Sequence, residues 1–349
     1  MVFYSEGRDY WSYLNGLIKC LIDDYNVHIC YLSSSFDDPG IIYDKKNFNA
    51  YVIGDGHIRN WVFENLVADV MVMTTPDLHQ YQLKRSVNKV HYIYVQHSLV
   101  SLHTIYRDGA FDYFDTIFCG GPHHNKEVRE IEKSKNLPKK KLFNHGYSLL
   151  DIVKQESKHK NFEKDRHKIN ILIAPSWGPD GLIETAGLKL INLLLACNFD
   201  VTLRPHPQTK KLYPSKIQKI LEKFSDNDCF SMDKGLDKRD SLYKADLMIT
   251  DWSGVALDYA FGLNRPVLFI DLPRKINNPS HDKISLDPFE VWIREIVGIV
   301  IPMNEVSKID KHIKLAMSKK LPKDSFNNYV YNISNSSSIG AKYIYDLVS

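Results

Sequence analysis

Short apolar runs that each end on a polar or glycine-proline turn recur along this chain, and that recurrence constrains its fold. Val70-Met71-Val72-Met73 runs into Thr74-Thr75-Pro76-Asp77. His91-Tyr92-Ile93-Tyr94-Val95 runs into Gln96-His97-Ser98, and Thr116-Ile117-Phe118-Cys119 into Gly120-Gly121-Pro122. Val2-Phe3-Tyr4, Val27 to Leu32 and Ala50-Tyr51-Val52-Ile53 have the same character. Between them lie segments with helical spacing, such as Trp11, Leu14, Leu17, Ile18 and Leu21, or the stretch from Ile58 to Val67. Strands apolar on both faces, alternating with helices, predict a parallel sheet covered on both sides.

Around residues 151–168 the composition changes. Lys154, Glu156, Lys158, Lys160, Glu163, Lys164, Asp165 and Arg166 crowd one stretch, which reads as a linker. The same plan then restarts. Ile169 to Ala174 is an expected strand that runs into Pro175-Ser176-Trp177-Gly178. A helix is expected over roughly 181–197, then a strand from Asp200 to Arg204 closing on Pro205-His206-Pro207, then a helix over 214–224. Leu247 to Thr250 and Val267 to Ile270 are strands flanking another helix. Two Rossmann-like domains in tandem, with a cleft between them, make the GT-B arrangement of nucleotide-dependent transferases. The expected pieces are residues 1–155, residues 165–335 and a terminal helix over 336–349.

The bulk numbers fit a soluble α/β protein and exclude little else. Hydrophobic residues make up 44% and charged residues 25% of the chain, so each half can bury a core. The net charge of +3 gives no footprint for nucleic acid, and no recognition motif accompanies it. Five cysteines stand in apolar surroundings without CxxC spacing, as free thiols do in a reducing compartment. The N-terminus lacks a signal peptide's basic start, and no apolar run is long enough to span a bilayer. A cytoplasmic location is expected. Lysines near 133–142 and 308–323 raise a second expectation, contact with an anionic membrane at its cytoplasmic face. The bland reading of the same lysines is a solvated surface.

The stretch MITDWSGVALDYAFGLNRPVLFI, residues 248–270, puts a polar turn between a strand and a helix that both read as buried. In an open parallel sheet, ligands bind beyond the carboxyl ends of the strands. A helix N-terminus there offers unpaired N–H groups and partial positive charge, which suit phosphate. Ser253 adds a hydroxyl and Gly254 lets the backbone approach an anion. The alternative is structural: Ser253 as an N-cap and Asp251 as a turn former. The glycines match neither a dinucleotide fingerprint nor a Walker loop.

This stretch resembles the signature of the CDP-glycerol glycerophosphotransferase family, the teichoic-acid primases and polymerases. The likeness lies in Ile249-Thr250-Asp251-Trp252-Ser253-Gly254, then Asp258-Tyr259-Ala260, then Arg265-Pro266-Val267. Ala174-Pro175-Ser176-Trp177, Leu203-Arg204-Pro205-His206-Pro207, Gln96-His97-Ser98, Gly146-Tyr147 and Asp240-Ser241-Leu242-Tyr243 resemble further family motifs in the same order. The sequence departs at Ser98, where the family has glycine, and at Gly254, where it has a second serine.

The resemblance implies an acceptor-side first domain and a donor-side second domain. It implies that His97 is a general base for the acceptor hydroxyl, work for which an imidazole of pKa about 6.5 is suited. It implies that His206 contacts the donor phosphate, with Arg204 adding charge. Ser176, Asp251, Ser253 and Gly254 would line the donor site. Asp258 would bond a ribose hydroxyl or else the core, and Asp240 would touch nucleotide or else cap a helix. The implied partners are a CDP-activated polyol donor and a glycan or lipid-linked acceptor. Neither cofactor nor metal is expected. His91, His97 and His103 recur every six residues and His123-His124 are adjacent, neither a zinc spacing. The implied reaction moves glycerol phosphate, or a related polyol phosphate, to a hydroxyl of a cell-surface glycan precursor and releases CMP. The alternative on the same fold is a glycosyltransferase using a nucleotide sugar in capsule or lipopolysaccharide synthesis.

Overall fold

The computed structural model describes residues 1–159, 168–233 and 239–349. They form two compact units. The first comprises Met1–Ile152, Ile276–Pro288 and Ser325–Ser349; the second comprises Val153–Lys275 and Phe289–Asp324.

The first unit holds β1 (Val2–Ser5), β2 (Ile29–Ser33), β3 (Phe48–Val52), β4 (Val70–Met73), β5 (His91–Val95), β6 (Thr116–Cys119) and β7 (Lys141–Asn144). They make one sheet in the order β3-β2-β1-β4-β5-β6-β7, and every pairing is parallel. Side chains alternate between two buried faces. Val2 and Tyr4 join one core with Met71, Tyr92 and Ile117, while Phe3 joins the other with Val72, Ile93 and Phe118. This two-sided burial is why the strands read as unbroken apolar runs.

The second unit holds β8 (Asn170–Ile173), β9 (Asp200–Leu203), β10 (Phe230–Met232), β11 (Leu247–Thr250), β12 (Val267–Asp271) and β13 (Gly298–Pro302). Their order is β10-β9-β8-β11-β12-β13, again all parallel. Strand order reverses between β1 and β4 in the first sheet and between β8 and β11 in the second. The crevice outside such a switch point is where an open α/β sheet receives its ligand.

The expected boundaries differ from these units in two places. The first half of the expected linker is helical, since a helix covers Ser148–His159; residues 160–167 of it lie outside the described residues. The chain beyond Asp324 belongs to the first unit. Helix Ser336–Val348 packs on helix Trp11–Tyr25, where Ala341 and Ile344 complete the core of Leu14, Leu17, Ile18 and Leu21. Burying an isoleucine contributes about 1.5–3 kcal/mol, enough to fix which core the helix joins. The approach is close: a Cβ on Gly121 would lie 2.0 Å from the carbonyl oxygen of Tyr329.

The two lysine-rich stretches spend much of their charge locally. Lys135 pairs with Asp108 and Asp112, Lys140 donates to the Asp112 carbonyl, Lys308 pairs with Glu305 and Lys314 with Asp310. The expected membrane contact gains no support from them. Among the described residues, no helix is long and apolar enough to cross a membrane.

Candidate functional site

In the second unit, the loops beyond β8 and β11 are tied together by Asp251. Its Oδ1 accepts the backbone N–H groups of Ser176 at 2.7 Å and Trp252 at 2.6 Å, and its Oδ2 accepts that of Leu182 at 3.1 Å. Thr250 adds a bond from its hydroxyl to the Ala174 carbonyl, 2.8 Å. Asp251 is 1% exposed, so its carboxylate faces inward. The sequence suggested donor contact for Asp251. The structure shows three backbone N–H groups holding that carboxylate, which makes Asp251 the organiser of the loops. Trp252 is fastened too: its Nε1–H donates to Leu272 O at 2.8 Å and Arg294 stacks 3.5 Å from its ring centroid.

Ser253 and Gly254 follow, both half-buried, at the start of helix Val255–Leu263. Gly254 takes the N-cap position and no side chain caps this helix, so the capping alternative for Ser253 does not hold. The segment keeps what a phosphate site needs: uncapped N–H groups, a hydroxyl, and no Cβ at the head of the helix.

His206 stands beyond β9 as the N-cap of helix Pro207–Leu212, and its Nδ1 accepts the Gln208 N–H at 3.1 Å. An Nδ1 that accepts carries no proton, so in the neutral ring the proton sits on Nε2. His206 is held to a pKa of about 4, first by burial and then by the charge of Lys275. The ring lies 6.0 Å from that of Trp177, and the Lys275 ammonium sits 3.2 Å from the Trp177 ring centroid. Sequence reasoning missed Lys275. It stands in an irregular segment four residues past β12, and only the fold brings it to Trp177.

Three expected donor residues form a separate group. Arg204 lies 3.5 Å from the Asp233 carboxylate and 3.3 Å from Ser241 Oγ, with 11% of its side chain exposed. A guanidinium so buried needs a counter-charge, and Asp233 supplies it from inside the unit; the expected charge toward donor is therefore already engaged. Asp258, on helix Val255–Leu263, is half-buried, and burial raises its carboxyl to about pKa 7 against the pull of Arg239 and Arg204. Among the described residues its carboxyl has no hydrogen bond, which leaves it able to accept or donate one to a ligand hydroxyl. Asp240 opens helix Asp240–Lys244 but does not cap it.

In the first unit, His97 lies just beyond β5, one strand from the switch point. Its Nδ1 is 3.0 Å from the Thr74 carbonyl oxygen and 3.1 Å from the Tyr94 hydroxyl. A carbonyl only accepts, so Nδ1 carries the proton and Nε2 the lone pair. Nε2 meets the Tyr106 hydroxyl at 3.3 Å. Tyr10, Tyr13, Tyr94 and Tyr106 surround the ring at centroid distances of 5.7–6.3 Å. Tyr147 donates its hydroxyl to the His97 carbonyl at 2.9 Å and stacks on Tyr13. Gly146 makes this placement fit: its φ is +95° and a Cβ would lie 2.2 Å from Tyr331 O. Burial pushes the His97 pKa down to about 4, partly offset by the Thr74 bond. The ordinary imidazole value expected from the sequence is thereby corrected: this ring is neutral across the physiological range.

His123, His124 and His103 bond within the first unit. His123 Nε2 bonds the Leu99 carbonyl at 2.9 Å; His124 takes the Gly120 N–H on Nδ1 and gives its Nε2 proton to Val100 O. Together they fasten the loop that carries His97. His103 is buried against the Glu127 carboxylate, 3.2 Å away.

Residues 123–273 match the family model described as CDP-Glycerol:Poly(glycerophosphate) glycerophosphotransferase, less than half of the chain. His97 and Lys275 fall outside that span. No curated protein matches. Among solved structures, the wall teichoic acid polymerase TagF is similar over 100% of this chain and 88% of its own, with 17% identity and a TM-score of 0.62. A UDP-GlcNAc 2-epimerase from Methanocaldococcus jannaschii is similar over 99% and 98%, with 14% identity and a TM-score of 0.61. At these identities the likeness speaks for the fold, α/β of the GT-B type. The match over residues 123–273, carried on that fold, makes this chain similar to the CDP-glycerol glycerophosphotransferases and supports a transferase of their type.

Proposed function

We propose that this transferase moves a polyol phosphate, glycerol phosphate first among them, from a CDP-activated donor to a hydroxyl of a cell-surface glycan or glycolipid precursor, and releases CMP. One observation carries the reading. The backbone fixes His97 and His206 in opposite tautomers: His97 carries its lone pair on Nε2, where the Tyr106 hydroxyl meets it and an acceptor hydroxyl would take that place, and His206 carries an N–H there. The first is what a general base needs and the second is what a phosphate binder needs.

The acceptor hydroxyl gives its proton to His97 Nε2. Its oxygen forms the new bond to the phosphorus that carries the polyol, the bond from that phosphorus to the CMP oxygen breaks, and CMP leaves with the electron pair. His206 Nε2–H, the Ser253 hydroxyl and the helix N-terminus behind Gly254 neutralise charge on the donor phosphates. Asp258 bonds a ribose hydroxyl. Asp251 keeps the loops in place without touching substrate.

The test is a calorimetric screen of CDP-, UDP-, GDP- and CMP-activated compounds against the purified chain, with turnover of whichever binds. CDP-glycerol or a related CDP-polyol is expected to bind and to yield CMP when a glycolipid acceptor is present. Preferential binding and consumption of a nucleotide sugar would replace this reading with the glycosyltransferase one.

A further inference from the structure

The Lys275 ammonium lies 3.2 Å from the centroid of the Trp177 ring and 3.4 Å from that residue's carbonyl oxygen. It is half-buried, and among the described residues no carboxylate oxygen lies within ion-pairing distance of it. The acidic groups that act on it are Asp251 and Glu184. Asp251 already holds three backbone N–H groups, and Glu184 Oε1 accepts the Thr209 hydroxyl at 2.8 Å. The cation therefore rests on an aromatic face and one carbonyl, in a place where burial disfavours its charge. It also bears on His206, whose protonation it opposes. Trp177 and His206 sit beyond β8 and β9, on the loops of the proposed donor site. An ammonium held by a ring face is held weakly compared with one on a phosphate oxygen.

We infer that Lys275 is a donor-binding residue: the diphosphate of a nucleoside diphosphate donor draws its ammonium from the Trp177 face, so that the indole serves as the resting place of the charge. The inference rests on the donor reading given above, but not on the family match, which ends two residues before Lys275. Cytidine, which has no phosphate, gains nothing from this lysine.

The experiment compares wild type, Lys275→Gln and Lys275→Arg by calorimetry with CDP-glycerol and cytidine, and follows tryptophan emission during titration with inorganic pyrophosphate. Lys275→Gln is expected to weaken CDP-glycerol binding roughly ten- to a hundredfold, the loss of one bond to a charged group. Cytidine affinity stays as in wild type, and Lys275→Arg restores most of the lost affinity. Pyrophosphate changes the emission of wild type but not of Lys275→Gln. Equal CDP-glycerol affinity in Lys275→Gln, or an equal loss for cytidine, overturns the inference. If wild type ignores CDP-glycerol, the donor reading falls on its own and the pyrophosphate titration decides: an emission change abolished by Lys275→Gln supports the role of Lys275, and no change in wild type overturns it. Circular dichroism of each variant separates misfolding from loss of the site, and Lys275→Arg keeps the test open if the glutamine variant does not fold.

Discussion

His97 and His206 each stand one strand away from the switch point of their own sheet, and the surroundings of the two rings differ. His97 is enclosed by four tyrosines and its protonation is opposed by burial, with no charged group among the causes. His206 is opposed by burial and also by a cation, Lys275. Both end near a pKa of about 4, by different routes. An aromatic cage, with the Tyr106 hydroxyl on Nε2, keeps the ring neutral by excluding charge. A cation beside a neutral imidazole prepares a place for an anion. The same residue type is thus held in opposite tautomers by which backbone group meets its Nδ1, which is what the two proposed tasks require.

The largest expected effect that tests this contrast is on His97. His97→Ala should lose roughly 10²–10⁴ in turnover, the usual worth of a general base, with donor affinity by calorimetry unchanged. Near-normal turnover would remove the base role and leave His97 a strand-end ring bonded to backbone. Next comes His206. His206→Ala should weaken CDP-donor affinity roughly ten- to a hundredfold as well as slow turnover. A variant that slows turnover without weakening donor binding would mean that the two rings do not divide the work as described.

Asp251→Ala sharpens the comparison from the side of stability. It leaves three backbone N–H groups without their acceptor, at roughly 1–3 kcal/mol for each one not taken up by water. The second unit should melt several degrees lower, with donor affinity falling as its loops loosen. An unchanged melting temperature would contradict the organising role.

The smallest effect concerns pH. His97, His206 and His145 have pKa values lowered by burial to about 4, about 4 and about 3. Their unfolded values are near 6.5. The unfolded chain therefore binds more protons, and stability is complete above about pH 6.5 and lost as pH falls toward 4 and 3. Denaturant melts at pH 7 and pH 4.5 should show this loss, on the order of a few kcal/mol in sum. Equal stability at both values would mean that the rings are less enclosed than described.

The parallel sheets were legible because most central strands are apolar runs ending in a polar turn; β9, Asp200-Val201-Thr202-Leu203, alternates instead. Of the four edge strands, only β3 was legible. β7 is Lys141-Leu142-Phe143-Asn144, which reads as the tail of a lysine-rich loop. β10 and β13 lie at the two edges of the second sheet and carry exposed or half-buried positions that break the apolar signal. The return of residues 325–349 to the first unit was hidden for another reason: an amphipathic helix shows that it has a partner but not which core supplies it. As site candidates, His97, His206, Ser253 and Gly254 could be proposed because each closes a strand or opens a helix. The inward role of Asp251, the Asp233 partner of Arg204 and the resting place of Lys275 could not, since each depends on a contact between segments far apart in sequence.

The most direct measurement of the central claim is kcat/KM for CMP formation from CDP-glycerol and a glycolipid acceptor, followed from pH 8 down to pH 4 in wild type. This parameter reports ionisations of the free enzyme. If His97, neutral with its lone pair on Nε2, takes the acceptor's proton, the profile stays level from pH 8 to about pH 5.5 and declines toward a midpoint of about 4. A midpoint between pH 6 and 7, or no CMP formed from CDP-glycerol while a nucleotide sugar is consumed, would contradict the account.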